Sequence, residues 1–441
     1  MKTVSLLAVA ALSIAALSAS AQSQPAAQAA PAPQPIDARA VVAEVRRVIA
    51  ERYVLPERRP ALDAVLAEGL AAGRYDTRDP SALAERINAD LERVGRDRHL
   101  GFSHNPQQAA IIAAAQDRAA PDPAGRERQV RAANHGVTEL RLLPGNIRYM
   151  AYDGFMWMGP ESAAALDTAM RFLAGGDAVI IDIRRNGGGS PDAVQYLVSH
   201  FMEADRPLVT FHMNGQPSPD RLSTLAELPA GRMVGKPLYV LTSGGTASAA
   251  EEFAGHVGGY RLGELIGETT AGAGFRNDLV AVPGGFVLSV SVGRAVLAST
   301  GRDWEAVGIV PTTPVPVAQA LEHAQVRALR RLAAAAAPPE RPRLEARATL
   351  LLAQLQPVAT ALPLSAYAGA FGERTISIEN GRLALQRNGG PKLVMVPIGP
   401  NLFALEADAT TRVQFVVSGD SASGFELIRG DGSRVSATRT P

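Results

Sequence analysis

Four short stretches carry the side chains able to do chemistry. Ser243-Gly-Gly-Thr-Ala-Ser-Ala-Ala-Glu-Glu-Phe253 places a hydroxyl, Ser248, where a buried apolar run passes into a helical one. A nucleophile at a helix start is surrounded by backbone N–H groups, and the same donors stabilise an oxyanion. The letters Ser248-x-x-Glu251 also fit an ordinary capping box. Asp182-Ile-Arg-Arg-Asn-Gly-Gly-Gly-Ser190 follows a second apolar run. Its triple glycine lets backbone N–H groups approach a ligand closely, or simply turns a strand into a helix. Arg96-Asp-Arg-His-Leu-Gly-Phe102 offers His99, whose imidazole titrates near neutrality and suits a general base. His104 and His256 compete with it. Trp304-Glu-Ala-Val-Gly-Ile-Val-Pro311 offers Glu305, a carboxylate that either orients a histidine or faces water.

Other chemistries find little support. The chain has no cysteine, which excludes a thiol nucleophile, a disulfide framework and thiolate metal sites. The glycine stretch lacks the Lys-Ser/Thr of a P-loop and the spacing of a dinucleotide fingerprint. Ser248 does not sit in G-x-S-x-G. No His/Asp/Glu group shows convincing metal spacing, so neither metal nor cofactor is expected. Lys+Arg is 44 against Asp+Glu 43, which argues against a nucleic-acid binder.

The elements around these residues follow from hydrophobic rhythm. Val41, Val45, Val48 and Ile49 recur at helical spacing, as do Leu62, Leu66 and Leu70, then Leu83, Ile87 and Leu91. These predict a helical domain of three or four helices over 36–125. From Gly136 the rhythm becomes strand-like. Val137–Leu143 and Ile147–Tyr152 flank Pro144-Gly145-Asn146 as a hairpin. Short apolar runs at Ala178–Ile183, Pro207–Phe211, Pro237–Leu241 and Leu265–Gly267 alternate with helical stretches, giving an α/β core over 130–317. A helical connector is expected over 318–360. A β-rich domain follows over 361–441, marked by turns at Asn380-Gly381, Asn388-Gly389-Gly390 and Asp431-Gly432. At the other end, Met1-Lys2, an apolar run from Val4 to Leu17 and Ala19-Ser20-Ala21 read as a signal peptide over 1–21. The Ala/Gln/Pro stretch 22–35 reads as a linker. The expectation is an exported protein, periplasmic or extracellular, with no integral membrane segment after cleavage.

The four stretches together resemble the C-terminal processing peptidase and tricorn protease superfamily. Asn186-Gly-Gly-Gly189, Thr246-Ala-Ser-Ala-Ala-Glu251, Gly267-Glu-Thr-Thr-Ala-Gly272 and Trp304-Glu-x-x-Gly-x-x-Pro311 fall in that family's order. The resemblance implies a ClpP/crotonase-like α/β core. It also selects a branch. Where the Ser-Lys peptidases of this group carry a lysine, this chain has Ala273. The interphotoreceptor retinoid-binding-protein-like branch uses Ser, His and Glu. On that template Ser248 is the nucleophile, His99 the general base and Glu305 the residue orienting it. The oxyanion donors are the N–H groups of Ala249 and of one glycine in the triple, Gly188. The implied partners are peptides or unfolded proteins. A non-catalytic binder of a hydrophobic ligand or peptide on the same fold is the alternative.

Two departures accompany the resemblance. Only 30 positions separate Pro106 from Gly136, so no PDZ module fits there. The Pro-Asp that often closes the glutamate motif reads Pro311-Thr312. The β-rich tail resembles small lipocalin-like domains of exported hydrolases.

Overall fold

The structure, a computed structural model, describes residues 36–117, 123–338 and 340–440. The expected signal segment and linker lie outside the described residues.

Capping and apolar spacing account for the first helices. The Asp37 carboxylate accepts the N–H groups of Arg39 and Ala40 and starts Ala38–Arg52, which buries Val41, Val45, Val48 and Ile49. Arg59–Ala71 follows. Asp79 and Pro80 start Pro80–Gly95, whose buried face is Leu83, Ile87 and Leu91. Pro106–Asp117 and Pro123–Ala132 bring the count among the described residues before 133 to five, above the expected three or four. A four-residue strand, Gly101–His104, interrupts them and pairs antiparallel with Phe286–Leu297, Gly101 opposite Ser289 and His104 opposite Phe286. Four residues are too few for a period to show in sequence. This strand ties the chain just after His99 to the core.

The core contains two sheets. One is six-stranded, in the order Thr313–Pro314, Glu264–Gly267, Leu238–Thr242, Ala178–Asp182, Ile147–Tyr152, Val137–Leu143. Its first five strands run parallel, and the last is the far arm of the expected hairpin. Buried alternation runs through the central strands. Val179, Ile181 and Val240 face the helices Pro160–Ala174, Pro191–Ser199 and Ala249–Gly259. Ile180, Tyr239, Leu241 and Ile266 face Ala320–Ala335 and Glu340–Leu355. Both faces are covered, which explains why these strands read as continuous apolar runs. The second sheet is built on Phe286–Leu297, which pairs with Phe275–Val282, Gly101–His104 and Pro207–Met213. Pro207–Met213, read from sequence as one more strand of the alternating core, therefore belongs to this antiparallel sheet.

The tail is an eight-stranded antiparallel meander from Gly369–Phe371 to Arg434–Thr438, each strand pairing with the next. Asn380 and Gly381 both have positive φ, +50° and +76°, as a two-residue hairpin turn demands. Thr440 N–H reaches the Ala370 carbonyl at 2.8 Å and brings the last strand back to the first, nearly closing a barrel. Its inside is packed with the rings of Tyr367, Phe371, Phe403, Phe415 and Phe425. No helix among the described residues is long and apolar enough to cross a membrane.

Candidate active site

Ser248 and the triple glycine stand at the carboxyl ends of two adjacent parallel strands, Leu238–Thr242 and Ala178–Asp182, the usual place for a site in an open α/β sheet. The loops leaving these strands are stitched together. Thr246 Oγ1 accepts the Ser243 N–H at 3.0 Å and donates to the Ile183 carbonyl at 2.9 Å. Ser243 Oγ donates to the Arg184 carbonyl at 2.6 Å, and Ala247 N–H to the Asn186 carbonyl at 3.1 Å. Asn186 is wholly buried; its amide donates to the Tyr152 carbonyl at 2.8 Å.

Ser248 itself is half-buried and has φ +54°, ψ −121°, a conformation that costs an L-residue on the order of 1–3 kcal/mol. The fold holds it there through Glu251. This fully buried carboxylate accepts the Ser248 N–H at 2.9 Å, the Thr270 hydroxyl at 2.5 Å and the N–H groups of Gly272 and Ala273 at 2.6 and 2.8 Å. The capping-box letters thus describe a real contact, and Glu251 does more than cap: it ties a second loop to the helix start. Gly188 packs directly on Ser248. A Cβ there would stand 2.8 Å from the Ser248 Cβ and 2.9 Å from the Ala247 carbonyl oxygen, so only glycine fits.

The neighbouring loop carries the second half of the site. After Gly272 and Ala273, the next two N–H groups, Gly274 and Phe275, point at Glu305 Oε2 at 2.6 and 3.0 Å. Four successive N–H groups are therefore divided between two buried carboxylates. Glu305 Oε1 accepts the Arg98 N–H at 2.8 Å, and Oε2 lies 4.0 Å from His99 Nδ1. The Glu305 side chain is only 6% exposed, so it is no solvated carboxylate. Trp304 is buried beside it and donates to the Ala273 carbonyl at 3.1 Å. His99 Nδ1 is buried and has no hydrogen-bond partner among the described residues. A 4.0 Å separation is an electrostatic contact, too long for a hydrogen bond.

Burial sets the protonation of this pair. It lowers the His99 imidazole, while the charges of Asp97 and Glu251 oppose that shift. It pushes Glu305 up to about 7, against the backbone donors on its carboxylate and with the charge of Asp97 adding to the rise. Asp97 escaped the sequence reading. It is buried, and its Oδ1 accepts the N–H groups of His99 and Leu100, which fixes the turn presenting His99. The signal was available, since an aspartate two positions before another residue commonly makes such a turn. Asp97, His99 and Glu305 offer atoms all within 4.8 Å of one another, the set able to hold a cation. The three N–H donors on Glu305 compete with a cation for its lone pairs.

The remaining expected residues divide. Ala249, first in its helix, sits at the Ser248 rim with its N–H toward no intramolecular acceptor among the described residues. Gly188 gives its N–H to Asn186 Oδ1 at 2.9 Å. Met150 and Phe155 are buried, whereas Met156 and Trp157 line a cleft with the triple glycine. His104 lies tilted against the Phe286 ring, and His256 is fully buried. Lys236 donates to the carbonyls of Ala174 and Gly176, and Lys392 pairs with Glu379. Ala273 is buried, its N–H taken by Glu251. Thr312, in place of the expected aspartate, both donates to and accepts from the Leu265 backbone at 3.0 Å.

Known proteins resemble this chain in the same stretches. The profile of peptidase family S41 matches residues 146–315, and that of the N-terminal domain of peptidase S41 in eukaryotic IRBP matches 37–133. The chloroplastic carboxyl-terminal-processing peptidase 2 of Arabidopsis thaliana is 27% identical over 191 residues, 42% of this chain and 36% of that protein. The carboxy-terminal processing protease CtpB of Bacillus subtilis is 27% identical over 139 residues, 32% of this chain and 28% of that protein. The chain thus spans about a third of the length of these curated relatives. Among solved structures, a putative peptidase from Parabacteroides merdae aligns at 20% identity over 63% of this chain and 90% of its own, with a TM-score of 0.47. The profile matches cover the helical part and the α/β core, including all four motif stretches, and on them the chain belongs to peptidase family S41.

Proposed function

We propose that the chain is an exported serine peptidase that hydrolyses peptide bonds in short or unfolded peptides through Ser248, His99 and Glu305. The observation that carries this reading is the division of four successive N–H groups between Glu251, which holds Ser248 strained at a helix start, and Glu305, which faces His99. Glu305 faces Nδ1, so Nε2 is the nitrogen that takes the Ser248 proton as the hydroxyl oxygen attacks the substrate carbonyl. The Glu305 carboxylate then stabilises the imidazolium, which returns the proton to the leaving amine. Ala249 N–H supplies one oxyanion donor. We assign the second to Gly189 in place of Gly188, because the Gly188 N–H is committed to Asn186. Gly189 lines the cavity beside Ser248, and among the described residues its N–H has no intramolecular acceptor. A lysine base has no support: the two lysines among the described residues are engaged elsewhere. The N-terminal charge, apolar run and Ala-Ser-Ala support export. Sequencing the mature N-terminus tests it, with Gln22 expected first.

Fluorophosphonate labelling of the purified protein, followed by peptide mapping, tests the chemistry. We expect label on Ser248 and none in Ser248→Ala. Absence of label from the unmodified protein under all conditions would overturn the reading in favour of a binder on this fold.

A further inference from the structure

A cavity of about 190 Å³ opens beside Ser248. Phe211, Phe275, Ala295 and Trp304 wall it, and Ser248 and Ala249 form its rim. Glu252 also lines it. Glu252 stands in the first turn of the helix that Ser248 precedes, and both residues line this cavity. It is 3% exposed, and its Oε1 has no hydrogen-bond partner among the described residues. The imidazole of His256, itself fully buried, has its Nε2 3.5 Å from that oxygen. Oε1 is the oxygen turned to His256, and no hydrogen bond reaches the other oxygen among the described residues; buried polar groups are nearly always hydrogen-bonded, and a carboxyl left without one at the wall of a cavity marks a place for a ligand atom.

We infer that Glu252 is the floor of the subsite for the side chain on the acyl side of the scissile bond, and that this subsite takes an uncharged hydrogen-bonding side chain, a carboxamide above all. The inference rests on the serine-peptidase reading of Ser248. The acyl side follows from the rim: Ala249 N–H would hold the carbonyl there, and the side chain one bond away drops into the adjoining space. The charge follows from the neighbours. The Arg276 guanidinium lies over the Phe211 ring, 5.3 Å from its centroid, at the edge of the same cavity. It repels an entering cation, while an anionic side chain would be driven against Glu252. Burial raises Glu252 and favours its neutral acid, opposed by His256 and Arg276. A neutral carboxyl donates one hydrogen bond and accepts another, which is the complement of a carboxamide. The volume corresponds to roughly six water molecules' share of the liquid, room for one mid-sized side chain.

The test uses peptides identical except at one position, carrying Gln, Asn, Leu, Lys or Glu, with kcat/KM measured and the cut located by mass spectrometry. For the unmodified enzyme we expect Gln or Asn on the acyl side to exceed Leu and Lys by about tenfold or more, since a site built for a hydrogen bond rejects analogues lacking it. Glu252→Gln should keep the amide preference and Glu252→Leu should shift it to Leu. A preference for Lys or for Leu in the unmodified enzyme, a preference expressed only on the leaving side, or an unchanged ranking in folded Glu252→Leu overturns the inference. If Glu252→Leu does not fold, the ranking of the unmodified enzyme decides. Cleavage with no ranking overturns this inference alone. Failure of the unmodified enzyme to cut any peptide overturns the Ser248 reading and this inference with it.

Discussion

Ser162 lies beside a histidine and a glutamate, and by distance alone that trio looks better than the proposed Ser248, His99 and Glu305. Ser162 Oγ sits 2.8 Å from His135 Nδ1, and His135 Nε2 is 3.9 Å from Glu161. At the other site the recorded separation, between His99 and Glu305, is 4.0 Å. The contrast lies in what is left unused. Ser162 is fully buried, its hydroxyl accepts the Met158 N–H at 2.9 Å as well as pairing with His135, and Glu161 is committed to Arg131 at 2.6 Å. Every group there is satisfied, which is what a structural polar cluster requires. Ser248 is half-buried and strained, and among the described residues the Ala249 N–H beside it, the carboxyl of Glu252 in the adjoining cavity and Nδ1 of the proposed base His99 make no hydrogen bond. Such unfilled capacity, held in place by satisfied neighbours such as Glu251 and Asn186, is where binding and chemistry have room to occur.

Swapping the two serines for alanine breaks the comparison most directly. Ser248→Ala should lower kcat by at least about a thousandfold with the fold intact. Ser162→Ala should leave kcat within a few-fold and lower stability by about 1–3 kcal/mol, because Met158 N–H and His135 lose a buried partner. Equal turnover in both variants would remove Ser248 from the mechanism.

The next effect concerns Glu305. The mechanism needs its carboxylate, so kcat/KM should rise with pH through about 7, and the lowered His99 works in the same direction. Stability should move oppositely. Burial favours the protonated form of Glu305, so its stabilising contribution is complete below about 4.5 and is lost as pH rises through about 7. Glu305→Gln should remove this part of the thermal-stability profile and cut kcat by about a hundredfold or more, as loss of a positioning carboxylate does. A kcat/KM profile identical in the variant and the parent would contradict the assignment.

Glu251→Gln sharpens the view that satisfied groups hold the unsatisfied ones. Four donors converge on that carboxylate, and an amide cannot accept all four, so we expect about 2–4 kcal/mol of destabilisation by denaturant unfolding. Activity should fall with it, as Ser248 and the Glu305 loop lose their common tie. The smallest effect belongs to Lys236→Met. It should leave kcat unchanged and cost about 1 kcal/mol or less, since the lysine serves only the carbonyls of Ala174 and Gly176. A collapse of activity there, with folding preserved, would restore a lysine base.

Much of the fold was legible because it is local. The spacing of Val41, Val45, Val48 and Ile49 marks a helix, Pro144-Gly145-Asn146 a hairpin, and Asn380-Gly381 a tight turn. The buried runs at 178–182 and 238–242 show parallel strands covered on both faces. The strand Gly101–His104 was not legible, because its partner lies nearly two hundred residues away. Nor was the assignment of Pro207–Met213 to a second sheet, since a short apolar run carries no record of the strand it pairs with.

The same division holds at the site. Residue types and their order are enough for the chemical inventory: a serine at a strand-to-helix junction, a triple glycine after another strand, His99 among seven histidines, a glutamate next to a tryptophan, no cysteine and almost no lysine. Residue type limits which reactions are open. Which donors are spent and which remain depends on the folded arrangement. It committed the Gly188 N–H to Asn186, turned Glu251 from a cap into a tie between two loops, buried Glu305 until its carboxyl moved up to about 7, and placed Glu252, without a hydrogen bond, on the wall of the cavity that Ser248 also lines. Hydrogen-bond satisfaction and desolvation depend on atoms brought together from distant parts of the chain, and no local pattern of residues records them.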